Sequence, residues 1–174
     1  MALTNYPATL MKNKGEILAE ILRGIGNCYF FLHNTIEHDI AEKIMEEGFR
    51  YESQLPHSTD RVNPNEPIEV TYFLFQRKEY GIYTIIIAIP KETYDRYTRL
   101  SNILDITVEE VMSTEKPYLS DNDEYIYRIS PRHILGYFNN RTAEFVKNPR
   151  WDRNYDITEE KNFKKRLPPN IVRG

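Results

Sequence analysis

Apolar and polar residues follow two different periods along this chain. From residue 10 to residue 24, apolar side chains recur every three or four positions, which predicts an amphipathic N-terminal helix. Segments 27–35 and 83–90 are instead rich in aromatic and β-branched residues without that period, which predicts buried strands. Segment 68–75, IEVTYFLF, has the same composition and is predicted as a further central strand.

Between the first two strands the chain carries start and stop signals for one helix. Thr35 is a suitable N-cap for the amphipathic stretch that follows it, and Gly48 with Phe49 predicts where that helix ends. The polar segment 50–67 contains three prolines, which predicts an extended surface loop.

The remaining pattern completes an α+β domain. A helix or helical turn is predicted at 91–104, a short helix capped by Thr107 follows, and strands are predicted at 124–129 and 134–140. This order lacks regular βαβ alternation and predicts a split, mostly antiparallel β-sheet core with flanking helices on one side. We expect a single domain over residues 1–174, with a core at about 27–140 and a basic C-terminal segment at 141–174.

Composition narrows the chemistry. The single cysteine, Cys28, forms no internal disulfide, and no signal-peptide or membrane-spanning run is visible, so a cytoplasmic setting without a membrane partner is expected. The four histidines are scattered and none has zinc spacing, so no metal is expected. Neither a G-x-G-x-x-G nor a P-loop motif occurs, so a nucleotide would be held by side chains and strand edges.

Charge is distributed unevenly. Segment 141–174 has nine Lys/Arg and five Asp/Glu, while the whole chain has a formal net charge of −3. A weak nucleic-acid contact through this basic segment is one hypothesis, and a solvated terminus is the commoner alternative.

Three chemically suited residues lie at or beside the predicted strands. His33 ends the first strand in FLHNT, Tyr72 lies in VTYFLF with Tyr80 shortly downstream, and Glu124 begins EYIYRI. With these motifs in this order, the sequence resembles the ADP-ribosyltransferase superfamily of the His-Tyr-Glu type, which includes diphtheria-like toxins and poly-ADP-ribose polymerases. The resemblance covers about residues 27–140 and implies an ADP-ribosyltransferase-like fold.

The first motif of that family departs from the pattern at one position. His33 and Thr35 match its His and Thr, but Asn34 stands where the family has glycine. In the family, that glycine lets the backbone approach nicotinamide, because it has no side chain. Gly48 and Phe49 match the family's glycine–hydrophobic pair.

The resemblance also implies a role for each site residue. His33, Tyr72 and Glu124 would form the catalytic set, with Glu124 stabilising the oxocarbenium-like transition state and His33 binding a ribose hydroxyl. The NAD-contacting residues would be His33, Asn34, Thr35, Tyr72 and Tyr80, with the two tyrosines stacking on nicotinamide.

The expected function is therefore transfer of ADP-ribose from NAD, as co-substrate, to a macromolecular acceptor, as in a toxin or effector. Two alternatives stay open: an RNA 2′-phosphotransferase of the same fold, and an inactive scaffold that binds a nucleotide or a protein. Each residue also has a purely structural interpretation, as a strand-end histidine, a packing tyrosine and a solvated acid. His57 and the Arg132–His133 pair are plausible substrate-side groups but are commoner as turn residues, so they stay outside the catalytic set.

Overall fold

The computed structural model describes residues 14–76 and 81–167. Its strands are β1 (Cys28–Thr35), β2 (Phe49–Glu52), β3 (Asp60–Val62), β4 (Tyr83–Pro90), β5 (Tyr118–Leu119), β6 (Tyr125–Ile129), β7 (Ile134–Asn139) and β8 (Glu144–Lys147). Its α-helices are α1 (Lys14–Ile25), α2 (His38–Glu47), α3 (Leu55–Ser58), α4 (Pro67–Gln76), α5 (Lys91–Leu104), α6 (Val108–Met112) and α7 (Phe163–Arg166). Short 3₁₀ turns lie at Pro131–His133 and Ile157–Glu159.

The strands form two antiparallel sheets. The larger sheet has five strands in the order β3-β1-β4-β7-β8, and the smaller has three in the order β2-β6-β5. The pairing of β1 with β4 is continuous from Cys28 opposite Pro90 to Thr35 opposite Tyr83. The mixed α+β class with a split antiparallel sheet is therefore confirmed.

Helices cover both faces of the larger sheet. Because side chains alternate along a strand, Ile85 and Ile87 of β4 face one core while Ile86 and Ala88 face the other. The first core also contains buried residues of α2, α5, α6 and the smaller sheet, and the second contains those of α1 and α4. The prediction that the helices lie on one side was wrong, since a sheet with two apolar faces must be covered on both.

Segment 68–75 is helical, and its prediction as a strand was wrong. It lies within α4, which buries Val70, Phe73 and Leu74 and leaves Ile68 and Tyr72 exposed. Those buried positions are three and four residues apart, which is the spacing of one helix face. Its β-branched and aromatic composition favours strands only weakly, and packing against α1 decides the outcome.

Two local predictions before α4 were also wrong. Segment 50–67 is not one extended loop, because it contains most of β2, all of α3 and β3, and the first residue of α4. Thr35 is not a helix N-cap, because it is still paired with Tyr83 in the sheet; α2 begins at His38 with Glu37 in the N-cap position.

Other boundaries agree with the sequence pattern. The strands β1 and β4 and the helix α5 are confirmed, and Thr107 accepts a hydrogen bond from the Glu110 N–H as the N-cap of α6. Gly48 ends α2 with φ +98°. Residues 10–13 of the predicted first helix lie outside the described residues, and α1 continues to Ile25.

Candidate functional site

The strand β3 is shorter than the strand that it borders. It pairs only with Phe30, Phe31 and Leu32 of the eight-residue β1, so β1 extends beyond it at both ends. A cavity of about 310 Å³ lies past the Asp60 end of β3, lined by Leu32, His33, Asn34, residues 56–60 and Phe73. We refer to it as the His33 cavity.

His33 is held in one ring orientation by the wall of this cavity. Its Nδ1–H donates to the carbonyl oxygen of Ser58 at 2.7 Å, since a carbonyl can only accept. The ring also packs against Phe49, with 4.8 Å between centroids. This arrangement leaves Nε2 as the acceptor nitrogen of the neutral imidazole.

The charge state of His33 follows from its burial. Removal from water lowers the pKa of His33 below its ordinary value, and the hydrogen bond to Ser58 opposes this shift only in part. His33 is therefore neutral at neutral pH, which suits a group that accepts a hydrogen bond from a hydroxyl.

Asn34 is fixed by a buried polar network. Thr84 donates from Oγ1 to Asn34 Oδ1 at 2.5 Å, and Thr84 Oγ1 in turn accepts from Asn140 Nδ2 at 2.9 Å. The Asn34 side chain is thus held against β4 although the residue also lines the cavity. Thr35, the neighbouring residue of the predicted set, is buried against Gly81 and does not belong to the cavity lining.

The outer wall of the cavity is the α3–β3 segment. The Leu55 N–H at the start of α3 donates to Glu109 Oε2 at 3.5 Å, and Thr59 Oγ1 donates to Leu55 O at 2.9 Å. Because Glu109 is buried, this contact ties the wall to α6. The wall brings His57, Ser58 and Asp60 to the cavity.

Sequence reasoning left these wall residues out of the site. The sequence pattern favours a turn position for His57 and carries no site signal at Ser58 or Asp60. Their segment is polar and proline-rich, and contact with β1 depends on a hydrogen bond between residues 25 positions apart. The one available signal was the helical spacing of Val70, Phe73 and Leu74, which marks Phe73 as an inward-facing residue.

The other predicted site residues lie elsewhere. Tyr72 is 60% exposed on α4, next to Phe73 but outside the cavity lining, and Tyr80 lies outside the described residues. Glu124 is exposed immediately before β6, where its backbone carbonyl accepts from the Ser120 N–H at 2.8 Å. The structure thus brings His33 and Asn34 together in one cavity but does not bring Tyr72 or Glu124 to its lining.

The chain has no match among known proteins at the level of family model, curated protein or solved structure. Within residues 14–76 and 81–167, no three His, Cys, Asp or Glu side chains are grouped so that they would hold a metal ion. No helix in the same described ranges has the length and apolar character needed to cross a membrane.

Proposed function

We propose that this chain is an NAD-dependent ADP-ribosyltransferase of the ADP-ribosyltransferase-like fold, and that the His33 cavity holds the nicotinamide riboside end of NAD. The observation that carries the proposal is the shared cavity of His33 and Asn34, in which Ser58 fixes the His33 ring as a neutral hydrogen-bond acceptor. The split antiparallel sheet and the order of the motifs along the chain add support.

The dimensions of the cavity suit one end of a dinucleotide. Its volume of about 310 Å³ is near the lower end of the range for small-molecule sites, roughly 300–1,000 Å³. Phe73 contributes an apolar ring, and Asn34, Ser58 and Asp60 contribute polar groups. Such a lining matches a flat heteroaromatic ring joined to a sugar.

The reaction breaks the bond between C1′ of the ribose and the nicotinamide nitrogen. The bonding electrons leave with nicotinamide, which becomes neutral, while positive charge develops on the ribose. A nucleophile on the macromolecular acceptor then bonds to C1′ and loses its proton. His33 Nε2 would accept a hydrogen bond from a ribose hydroxyl and hold the sugar in place, which is a positioning role.

The chemistry also requires a carboxylate near the developing charge. Glu124 is the carboxylate that the motif order suggests, and Asp60 is the carboxylate within the cavity lining. We propose Glu124 as the catalytic carboxylate, and comparison of variants at Glu124 and Asp60 decides between the two residues. Tyr72, on α4, and Tyr80 remain the proposed stacking partners of the nicotinamide ring.

The test is nicotinamide release from NAD by the purified chain, measured chromatographically, together with NAD binding measured by calorimetry. Loss of the essential carboxylate is expected to slow release by about 10²–10³-fold. Glu124→Gln and Asp60→Asn are compared with Asp121→Asn, a matched control that removes another exposed acid from the Glu124 turn. His33→Ala is expected to weaken NAD binding.

Each outcome identifies one alternative. If Asp60→Asn alone strongly slows nicotinamide release, Asp60 in the cavity wall, and not Glu124, has the catalytic role. If the wild-type chain binds NAD but releases no nicotinamide, with or without a macromolecular acceptor, the result would favour the inactive scaffold. Absence of NAD binding by the wild-type chain would contradict the proposal, and loss of a 2′-phosphate from RNA would favour the phosphotransferase.

A further inference from the structure

A second cavity lies at the opposite end of β3. Because β3 ends at Val62, opposite Phe30, the first two residues of β1 extend past it on this side. The space there measures about 380 Å³ and is bordered by Tyr29 and by the turn at residues 63–65. We call it the cationic cavity, after the Lys and Arg side chains that line it.

Three elements each contribute a cation to this cavity: Arg23 from α1, Arg61 from β3 and Lys91 from the start of α5. Arg23 Nη1 donates to Pro64 O at 2.7 Å, which fixes one edge of the guanidinium, a group with five N–H donors. The Arg61 guanidinium stands 4.0 Å from the centre of the Tyr29 ring, and Lys91 Nζ lies 5.7 Å from the same ring. Two of the three cations therefore lie close to the Tyr29 ring.

Two carboxylates lie nearby, and both accept hydrogen bonds from neutral donors. Glu69 Oε1 accepts from the Asn63 N–H at 3.3 Å, and Asp95 Oδ1 accepts from Tyr29 OH at 3.2 Å. Their effect is to brace the turn and the Tyr29 ring. The cavity lining itself carries three cations and one carboxylate, Glu69, in a chain whose formal net charge is −3.

The basic C-terminal segment continues this surface. Arg153 donates to the carbonyl oxygens of Ile25 and Gly26, and Gly26 borders the cationic cavity. The Arg153 guanidinium lies 5.3 Å from the Trp151 ring, and Lys147 Nζ lies 6.0 Å from it. Arg153 thus connects Gly26, at the edge of the cationic cavity, with the Trp151 ring, whose Nε1–H donates to the Ala88 carbonyl oxygen at 2.9 Å.

We propose that the cationic cavity and the adjoining Lys147–Trp151–Arg153 surface bind the phosphates of a single-stranded nucleic acid. Such strands are held by cations along the backbone and by rings against which bases stack, and this surface interleaves the two. An isolated phosphate would use the cavity alone and would not need the second ring. The proposal concerns a surface separate from the His33 cavity and does not depend on NAD chemistry there.

The test is fluorescence anisotropy with a labelled 16-nucleotide oligouridine and a labelled oligothymidine of the same length, measured at several salt concentrations. Each phosphate contact that is lost should reduce the slope of log affinity against log salt by about 0.7. The triple variant Arg23→Gln, Arg61→Gln and Lys91→Gln is therefore expected to lose about 2 from that slope. The matched control is Lys43→Gln, which removes an exposed cation from α2.

Two further measurements distinguish the loss of a positive charge from a loss of folding. Arg61→Lys keeps the charge and should retain the wild-type slope, while thermal melts check that every variant is folded. No oligonucleotide binding at 50 mM salt, or an unchanged slope in a folded triple variant, would overturn the proposal. Equal affinity for polyglutamate of similar length would also overturn it, because the surface would then select charge rather than phosphate. Binding of inorganic phosphate without binding of either oligonucleotide would reduce the site to a simple anion pocket and contradict the proposal.

Discussion

His33 and Ser58 are joined by a hydrogen bond of 2.7 Å from the imidazole Nδ1–H to the backbone carbonyl oxygen. This contact connects the end of β1 with the wall formed by α3 and β3. It also fixes the tautomer of His33, so a backbone group, and not a second titratable side chain, determines that Nε2 is the hydrogen-bond acceptor.

The first prediction concerns the titration of His33. Because burial lowers its pKa, the NMR titration midpoint of His33 should lie below 6.5, assigned by comparison with His33→Gln. The neutral form is the hydrogen-bond acceptor, so NAD affinity should be constant from pH 8 to about 6.5 and should fall as His33 gains a proton at lower pH. A midpoint above 6.5 would contradict the assigned environment.

The second prediction concerns stability in acid. His133 is buried between Tyr97 and Tyr155, is hydrogen-bonded through Nε2 to Tyr97 OH, and has its pKa lowered by burial to about 3. Since the folded pKa is below the unfolded value, this group's contribution to stability is complete above pH 6.5 and is lost as the pH falls toward 3. The loss should be on the order of a few kcal/mol at most.

Urea denaturation at pH 7 and pH 4.5 measures this effect. His133→Phe, which cannot titrate, should show a smaller loss of unfolding free energy between the two pH values than the wild type. Equal losses in both proteins would show that other groups cause the acid sensitivity.

The third prediction uses two glycines. Gly48 has φ +98°, and an added Cβ would lie 2.2 Å from the Ile129 carbonyl oxygen, so Gly48→Ala should destabilise the fold. The backbone conformation alone costs about 1–3 kcal/mol for a residue other than glycine, and the overlap adds to this. Because Phe49 packs on His33, the variant should also weaken NAD binding.

Gly24 is the matched control for that substitution. It lies in α1, and a Cβ added there would meet no atom within 4 Å apart from its own helix, so Gly24→Ala should be neutral or stabilising by about 0.5–1 kcal/mol. Thermal denaturation of both variants checks the contrast. Similar effects at the two positions would argue against the described path of the chain at Gly48.

The fourth prediction tests the helical assignment of segment 68–75. Phe73 is 5% exposed and Tyr72 is 60% exposed, so Phe73→Ala should cost about 3–5 kcal/mol. Tyr72→Ala should change stability by about 0.5 kcal/mol or less. Chemical denaturation gives both values, and the reverse order would contradict α4. A loss of NAD affinity in Tyr72→Ala without loss of stability would support the stacking role proposed for Tyr72.

The sequence was most informative where local pattern and tertiary environment agree. The strands β1 and β4 are apolar on both faces, and the fold buries both faces. Their composition was therefore sufficient to predict them as buried strands. For α4 the local pattern and the tertiary environment disagree. Its β-branched and aromatic residues favour a strand, but the segment forms a helix that packs one face against α1. A weak propensity was overridden by packing.

The candidate site was less predictable than the fold for a specific reason. His33 was predicted as a site residue from its place near a strand end, and that role stays a prediction. The wall of its cavity depends on Ser58 and Glu109, which contact His33 and Leu55 over 25 and 54 residues of chain. Short elements such as β3, with three residues, carry too little pattern to be recognised. Their position is decided by the strand that they border.

The unequal lengths of β1 and β3 have a consequence for motion. β1 is paired along its whole length with β4, which is itself enclosed between β1 and β7, so the amide protons that form hydrogen bonds between these strands should be among the last to exchange with deuterium. The three-residue β3 and the single-turn α3 have few such protections. Each cavity is therefore bordered on one side by a strand that is paired along its whole length and on the other by short elements, whose amide protons should exchange earlier.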